Sequence, residues 1–216
     1  MKLNRVTDTL EPESNLDHID HIVGKILDSI DGSTSISPIQ LHRMIGEYLS
    51  ENHPNERGIL KSAFEKDVPI AVPAFTDSEL GNDVYTHNLK RTMQKRSKVL
   101  MDMEQDTKVL IDLVANAGRA GIFTIGGGVP RNNTQNAAPL IEIINDRLSL
   151  GLKQTQFFYG TRISPDAMHY GHLSGCTYSE GGSWRKMDLN GKFVEIRADA
   201  TLVLPFIVKY VLDKKS

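Results

Sequence analysis

The sequence predicts an α/β protein with a mostly parallel sheet, helices on both faces and an antiparallel hairpin near its C-terminal end. From residue 68 onwards, short apolar stretches alternate with longer amphipathic ones, which is typical of strands that alternate with helices. Near the end, Asn190-Gly191 separates two runs of alternating side chains and therefore predicts a two-residue hairpin turn. The composition agrees with a globular chain, since 39% of the 216 residues are hydrophobic and 24% are charged.

Residues 1–67 are predicted to form a helical lead-in that belongs to the same single domain as an α/β core of residues 68–216. Residues 1–14 combine charges and turn formers without a strand pattern of their own. Behind them, apolar side chains recur at helical spacing in two segments, and a third short helix follows. These three predicted helices span residues 15–31, 38 to about 49, and 57–66.

Acidic side chains follow the first predicted strand, which is short, apolar and bounded by prolines at residues 68–74. Asp77, Glu79 and Asp83 come directly after it. Ligands of open α/β sheets bind beyond the carboxyl ends of the strands, so these carboxylates are candidates for a binding site. The alternative is that Asp77 or Ser78 only caps the helix that follows.

A glycine-rich turn, Gly126-Gly127-Gly128, follows the predicted strand at residues 121–125 and precedes a helix. Glycines let the backbone approach a ligand closely, and the free N–H groups of a helix start favour anions. The turn matches neither of the common nucleotide-binding glycine patterns, so a tight structural turn explains it about as well. The other elements predicted between residues 98 and 163 are a strand at 98–103, helices at 105–119 and 139–148, and a strand at 154–163.

Residues 165–182 form a long loop rich in glycine, serine and histidine, and such loops are more often functional than not. Just beyond it, Trp184 and Lys186 would project to the same side of an extended strand. A partly buried amine beside an indole would have a lowered pKa and could attack an imine carbon. The predicted hairpin also places Lys186 opposite Glu195, and from spacing alone this cross-strand ion pair is the more economical explanation. The last predicted element is a helix at residues 200–213.

Composition and spacing argue against several other classes of protein. A net charge of −2 and scattered basic residues do not indicate nucleic-acid binding. His169, His172 and Cys176 share a loop, but no acid pair or second cysteine accompanies them, so we predict no metal. The sequence shows neither a leader nor the ~20-residue apolar run of a membrane span, so the cytoplasm is the expected compartment and no membrane is expected as a partner.

Several separate segments, in the same order, resemble the deoxyhypusine synthase family, from about residue 68 to the C-terminus. They are Thr76-Asp77 with Leu80-Gly81, Gly126-Gly127-Gly128-Val129, Ser174-Gly175, Glu180, Ser183-Trp184-x-Lys186 and Ala198-Asp199-Ala200-Thr201-Leu202-Val203. The resemblance implies a Rossmann-like, NAD-dependent transferase. Such an enzyme oxidises spermidine, passes its aminobutyl group to a lysine as an imine and then transfers the group to an acceptor amine.

The resemblance also implies a role for each matching residue. Lys186 would be the imine-forming lysine, which reverses the preference for an ion pair. Glu180 and Trp184 would hold the polyamine, with Asn132 and Asn82 in the same substrate pocket. The cofactor would be held by Asp77, Gly127, Gly128, Asp199 and Ala200.

Four residues in three segments depart from the eukaryotic pattern of that family. Asn132-Asn133 stands where histidines are expected, and Asn82 and Leu173 stand where acids are expected. Loss of a base and of carboxylates should alter which amine is held and which acceptor is used. The changes resemble a bacterial branch that includes homospermidine-synthase-like enzymes, so both a protein lysine and a polyamine stay open as the acceptor.

The resemblance further implies a homo-oligomer, a dimer of dimers with active sites between paired subunits. The family's chain begins with further strands and helices, so we expect this sequence to lack an N-terminal part of the fold. It would keep the imine lysine, lack part of the NAD pocket and be inactive alone. The alternative from another class is a non-catalytic α/β subunit.

Overall fold

A computed structural model of the chain describes residues 2–215, which divide between Asp106 and Thr107 into an N-terminal and a C-terminal compact unit. Among the described residues one pair of strands is antiparallel and the other three pairings are parallel, and helices lie on both sides, which confirms the predicted α/β class. No helix among the described residues is long and apolar enough to cross a membrane.

The N-terminal unit packs its helices around one apolar core. Its helices are α1 (Glu13–Ser29), α2 (Pro38–Asn52), α3 (Ile59–Glu65) and α4 (Glu79–Met93). Its strands are β1 (Leu3–Val6), β2 (Thr9–Pro12), β3 (Ser35–Ile36) and β4 (Leu100–Met101). Helix α2 begins where the sequence predicts, because Ser37 and Gln40 form a reciprocal capping box. Buried side chains from the helices, such as Leu27 and Leu41, fill the core.

Two predictions for this unit are wrong. Residues 1–14 do contain strands, because β1 and β2 pair as an antiparallel hairpin. Residues 68–74 form no strand, although they are apolar. Pro69 and Pro73 lack the N–H groups that a ladder needs, and the segment runs as an irregular connection into a short 3-10 turn at Phe75–Asp77.

The C-terminal unit contains a three-stranded parallel sheet of strand order β5-β6-β7. Helix α5 (Met103–Asn116) contains the boundary between the units. The other elements are β5 (Ala120–Ile125), α6 (Val129–Leu148), β6 (Phe157–Ile163), α7 (Tyr178–Ser183), β7 (Met187–Ile196) and α8 (Ala200–Lys215). The core beneath the sheet includes Ala138 and Ile141 of α6, which pack with Phe157 and Met187. Helix α6 thereby fixes one wall of the cavity described below.

The predicted C-terminal hairpin is wrong, because Asn190-Gly191 lies inside the single strand β7, which pairs with β6 in parallel. Met187 pairs with Phe157 and Lys192 with Tyr159, so residues 188–191 bulge opposite one residue of β6. Glycine is needed at 191, since a Cβ there would lie 2.7 Å from the backbone oxygen of Phe158. The turn-forming pair therefore marks a bulge.

Candidate active site

A cavity of about 880 Å³ in the C-terminal unit contains the densest group of sequence-predicted site residues. Its walls come from α6, the loop between β6 and α7, α7 itself and Lys186. Polar groups in the lining are Asn132, Asn136, His172, Cys176, Glu180 and Lys186. The apolar side chains are Pro139, Leu140, Ile143, Met168, Leu173 and Trp184. A mostly apolar cavity with a few convergent polar groups is the usual form of a small-molecule site.

Lys186 reaches this cavity from a constrained piece of backbone between α7 and β7. The preceding residue, Arg185, has a left-handed φ of 56°, and the Lys186 N–H donates to Gly181 O at 3.0 Å. The Lys186 carbonyl accepts from Phe157 N–H at 3.0 Å, which ties the segment to β6. These bonds fix the direction in which the side chain leaves the backbone.

The Lys186 amine is held by a neutral partner. Its Nζ donates to Asn132 Oδ1 at 2.7 Å. Burial, the largest influence, lowers the pKa of the Lys186 ammonium below its usual value; Arg131 acts in the same direction, whereas Cys176 and Glu180 partly oppose the shift. The amide of Asn132 brings no negative charge to oppose this effect. A larger fraction of this amine is therefore neutral and nucleophilic than at an exposed lysine.

The ion pair between Lys186 and Glu195 that spacing suggested is absent. Without the hairpin the two residues are not cross-strand neighbours, and Glu195 Oε2 instead accepts from Arg162 Nη2 at 3.0 Å. The other oxygen of Glu195 accepts from the Tyr178 N–H at 3.3 Å. Glu195 therefore belongs to the support of α7.

Glu180 and Trp184 lie at the two ends of the short helix α7. Thr177 caps this helix by accepting from Glu180 N–H at 3.1 Å, which places the Glu180 carboxylate in the first turn. Burial, and then hydrogen bonding and charge from Glu180, raise the pKa of the Cys176 thiol, so the thiol stays protonated. Trp184 ends the helix with 65% of its surface exposed, so its indole is accessible to a ligand.

Two buried arginines that sequence reasoning missed hold the loop wall of the cavity. Arg131 Nη1 donates to Cys176 O at 2.7 Å, and its guanidinium lies 5.0 Å from the Tyr178 ring centre. Arg162 Nη1 donates to Cys176 O at 3.0 Å and also to Ser174 O. No periodic pattern marks these arginines, because their partners lie on a loop far along the chain. Their function is to position the loop.

His172 contributes to the same loop wall through a small polar cluster. Its Nδ1 lies 2.7 Å from Ser174 Oγ, which in turn donates to Asp166 Oδ2 at 3.0 Å. No group of three or more histidine, cysteine or acidic side chains among residues 2–215 is arranged to hold a metal. The cluster therefore orders the loop in this structure.

The glycine turn serves two purposes. Gly127 packs against the loop, since a Cβ on it would lie 2.8 Å from the Cα and Cβ atoms of Ser174. Gly126 and Gly128 have left-handed φ values of 76° and 75°, and open space surrounds the position of a Cβ on each. Helix α6 begins immediately after them at Val129. The turn thus leaves backbone accessible at the end of a parallel strand, where α/β folds bind ligands.

Asp199 and Ala200 lie at the start of α8. Asp199 Oδ1 accepts from the N–H and Oγ1 of Thr201, at 2.8 and 2.6 Å, and these hydrogen bonds lower the pKa of the Asp199 carboxyl. Asp199 is exposed, and Ala200 opens the helix at intermediate exposure. Their predicted contact with a cofactor stays a prediction.

Asp77 and Asn82 belong to the N-terminal unit, where Ser78 is the residue that caps α4. Ser78 Oγ accepts from Gly81 N–H at 3.1 Å, so Asp77 is not needed as a cap. Gly81 is required by packing, because a Cβ there would lie 2.2 Å from Phe75 O. Asn82 lies in the first turn of α4. The predicted roles of Asp77 and Asn82 stay predictions.

Comparison with known proteins agrees with these features. The family model described as "Deoxyhypusine synthase" matches residues 1–211. The chain is 30% identical over 216 residues to "Probable deoxyhypusine synthase 2" of Methanosarcina mazei, covering 99% of this chain and 58% of that protein. It is 30% identical over 215 residues to "Deoxyhypusine synthase-like protein" of Caulobacter vibrioides, covering 99% of this chain and 56% of that protein.

A solved structure shares the fold. The crystal structure of a "putative deoxyhypusine synthase" from Entamoeba histolytica superposes with a TM-score of 0.60 at 17% identity. The match covers 92% of this chain and 56% of the other. The chain thus spans little more than half the length of the relatives it matches.

Proposed function

Because the chain belongs to the deoxyhypusine synthase family, we propose that it is an NAD-dependent aminobutyl transferase in which Lys186 carries the transferred group as an imine. The donor that the family suggests is spermidine, and the acceptor is an amine. The observation that carries the proposal is the environment of Lys186, an amine with a lowered pKa in a cavity that also contains a carboxylate and an indole. Imine formation requires a neutral amine, which this environment favours.

The other cavity residues take roles that follow from their chemistry. Glu180 would pair with the ammonium at the butyl end of the donor, since it is the carboxylate in the lining. The exposed indole of Trp184 would cover the methylene chain and attract the ammonium by a cation–π contact. Asn132, already bonded to Nζ at 2.7 Å, would orient the amine for attack.

The residues at the glycine turn fit a dinucleotide. Gly126 and Gly128 leave open space beside backbone at the carboxyl end of β5, and the N-terminal turn of the 20-residue helix α6 follows directly. Gly127, Gly128, Asp199 and Ala200 would contact NAD from this unit, whereas a contact of Asp77 with the cofactor rests on the family resemblance alone. Bound there, NAD would supply the acceptor for a hydride from the donor amine and the source of that hydride for re-reduction of the transferred group.

Two residues of the cavity support a second candidate for the acceptor. Asn132 and Leu173 stand in the cavity where the family pattern led us to expect a base and an acid. A polyamine acceptor, as in homospermidine synthesis, is therefore proposed beside a protein lysine. A non-catalytic subunit is the remaining proposal from another class, and it is favoured by the same two changes in the cavity.

The test is borohydride trapping of the intermediate. The chain is incubated with spermidine and NAD, reduced with borohydride and digested for peptide mass spectrometry. We expect the mass of an aminobutyl group on Lys186 and, in the Lys186→Arg variant, at least about a 10³-fold loss of adduct, since arginine keeps the charge but forms no imine. Absence of the adduct from a chain that binds spermidine and NAD would contradict catalysis and support the subunit proposal. Putrescine or a lysine-containing translation-factor precursor, added as acceptor, then distinguishes the two transferases.

A further inference from the structure

Arg162 and Glu195 form a largely buried ion pair beneath the loop wall of the Lys186 cavity. They are partners in the parallel register of β6 and β7, so their side chains leave the same face of the sheet. Arg162 Nη2 donates to Glu195 Oε2 at 3.0 Å, and the two side chains are 5% and 30% exposed. Loss of either partner would therefore leave a charge without its counter-ion in a poorly solvated position.

Arg162 holds the loop that precedes α7. Its Nη1 donates to Ser174 O and, at 3.0 Å, to Cys176 O. Gly175 and Cys176 of this loop line the cavity. Because a guanidinium is planar and its donors point in fixed directions, the bond from Nη2 to Glu195 also fixes the direction of Nη1. The position of the loop therefore depends on Glu195 through Arg162.

Glu195 also holds α7 directly. Its Oε1 accepts from the N–H of Tyr178, the first residue of the helix, at 3.3 Å. Helix α7 has six residues, and a helix of that length is not stable without tertiary contacts. The Tyr178 ring adds such a contact, since it stacks on Phe193 with 5.0 Å between the ring centres. One carboxylate thus joins the start of α7 to the guanidinium that holds the loop.

A second buried guanidinium gives the charge of Glu195 a further role. Arg131 Nη1 donates to the same Cys176 O as Arg162, at 2.7 Å. Burial, the largest influence, lowers the pKa of Arg131, and Arg162 acts in the same direction, whereas the shift is opposed by Tyr178, Cys176 and Glu195. Two positive charges that converge on one carbonyl repel each other, and the Glu195 carboxylate compensates this repulsion. Without it, separation of the two arginines and release of the carbonyl would be favoured.

The wall that Glu195 supports leads directly to Lys186. Gly181 of α7 accepts from the Lys186 N–H at 3.0 Å, so the placement of α7 sets where the lysine side chain begins. Glu180 lies in the first turn of the same helix and lines the same cavity. Burial is the largest cause of the lowered pKa of the Lys186 ammonium. Displacement of the loop and α7 would therefore admit water and return that pKa towards its ordinary value.

We propose that Glu195 is a positioning residue for the reaction at Lys186. Its carboxylate joins the loop, through Arg162, and α7, through Tyr178, into one wall that keeps the amine partly buried. Glu195 is not among the described residues that line the cavity, so it acts on the amine through this wall. The inference rests on the proposed function, in which Lys186 forms the imine.

The test compares the natural chain with Glu195→Gln, which keeps nearly the same shape and removes the charge. Each chain is treated with butanal and cyanoborohydride at a series of pH values, and alkylation of Lys186 is followed by peptide mass spectrometry. In Glu195→Gln we expect the pH profile of Lys186 to move to higher pH and its rate near neutral pH to fall about tenfold, because less of the amine is neutral there. Asp112→Asn, which removes an exposed carboxylate that pairs with Lys108 on α5, is the control and should leave the profile unchanged.

A double variant separates positioning from stability. Arg162→Met with Glu195→Leu replaces the ion pair by apolar side chains, and removal of both charges together is often neutral for stability. In urea titrations the double variant should therefore be more stable than Arg162→Met alone, which leaves Glu195 without its partner. The loop carbonyls and the first N–H of α7 nevertheless lose the groups that hold them. We expect the double variant to show the same shift in the pH profile of Lys186 as Glu195→Gln.

Circular dichroism spectra show which variants fold. An unchanged pH profile of Lys186 in a folded variant would overturn the inference, and so would loss of the fold in both variants. A shift to lower pH would also overturn it, because that is the direct effect of removing a negative charge near an ammonium.

The proposed function fails separately, if the natural chain binds spermidine and NAD but gives no aminobutyl adduct on Lys186 after borohydride reduction. Alkylation by butanal requires neither spermidine nor NAD, so the two failures are distinguishable.

Discussion

Lys61 and Lys186 are two lysines with partly or largely buried side chains, and their surroundings differ in a way that separates structural support from chemistry. Lys61 Nζ donates to three backbone carbonyls, those of His53, Pro54 and Glu56, at 2.9, 2.6 and 3.0 Å. Lys186 Nζ has the side chain of Asn132 as its hydrogen-bond acceptor and faces a cavity. The donors of the Lys61 ammonium are occupied by the three carbonyls, whereas Lys186 can lose a proton and still donate to Asn132.

The difference follows from how each lysine is positioned. The Lys61 ammonium is surrounded by the turn that joins α2 to α3, so its charge compensates carbonyl dipoles that would otherwise lack donors. Lys186 is placed by backbone bonds to Gly181 and Phe157, so its side chain is not needed to hold the fold. Burial can therefore lower the pKa of Lys186 without destabilising a turn. The predictions below test this contrast.

The largest effect on stability is expected at Lys61. Replacement Lys61→Met keeps the apolar stem, which is 9% exposed, but leaves three carbonyls without their shared donor. We expect the free energy of unfolding to fall by about 3 kcal/mol in urea titrations. Lys66→Met, at an exposed position at the end of α3, is the matched control and should change stability by less than about 0.5 kcal/mol. Equal losses in the free energy of unfolding for the two variants would contradict a structural role for Lys61.

A smaller effect, on reactivity, is expected from Asn132→Asp. A carboxylate in place of the amide would attract the Lys186 ammonium and raise its pKa, so less neutral amine would be present near neutral pH. We expect borohydride trapping to be about tenfold slower there and to recover as pH rises. Asn136→Asp, on the same wall of the cavity but not the Nζ partner, is the comparison variant and should shift the pH profile less. An unchanged profile in Asn132→Asp would show that Asn132 does not control the amine.

The smallest effect is a pH dependence of stability. Because the folded pKa of Lys186 is lowered from 10.5, the unfolded chain binds more protons between the folded pKa and 10.5. Stability should therefore rise with pH across that window, relative to the Lys186→Met variant, and the increment should be lost as pH falls through the folded pKa. After allowance for solvent screening the increment is under about 1 kcal/mol. Urea titrations of both chains at several alkaline pH values measure the difference between their free energies of unfolding. A difference that falls as pH rises would contradict the prediction.

The fold class and most of the helices could be predicted from local patterns, but some of the strands and the pairing of the sheets could not. Asn190-Gly191 has the local chemistry of a hairpin turn, yet the parallel ladder with β6 continues on both sides of it and leaves it in a bulge. Pro69 and Pro73 interrupt an apolar segment that periodicity alone makes a strand. The local preference is overridden in the first case by backbone hydrogen bonds to a distant strand, and in the second by the N–H donors that the prolines lack.

The side chains of the cavity were likewise predictable only where they lie close together in the sequence. Lys186 and Glu180 lie near one another in sequence, so one stretch indicates both, whereas Asn132 entered only through resemblance to a family. Arg131 and Arg162 gave no signal, because the carbonyls that they bind belong to a loop whose course depends on the fold. Glu195 was assigned to Lys186 by an incorrect register and instead pairs with Arg162.

The most direct test of the account compares lysines without using NAD. The chain is treated with a limiting amount of butanal and cyanoborohydride near neutral pH, and the modified lysines are identified by peptide mass spectrometry over time. We predict that Lys186 is alkylated before the exposed lysines, because only a neutral amine forms the imine. Lys61 should remain unmodified in the folded chain, because its Nζ is buried and bonded to three backbone carbonyls. Alkylation of exposed lysines at the same rate as, or ahead of, Lys186 would contradict the claim that this cavity prepares an amine for imine chemistry.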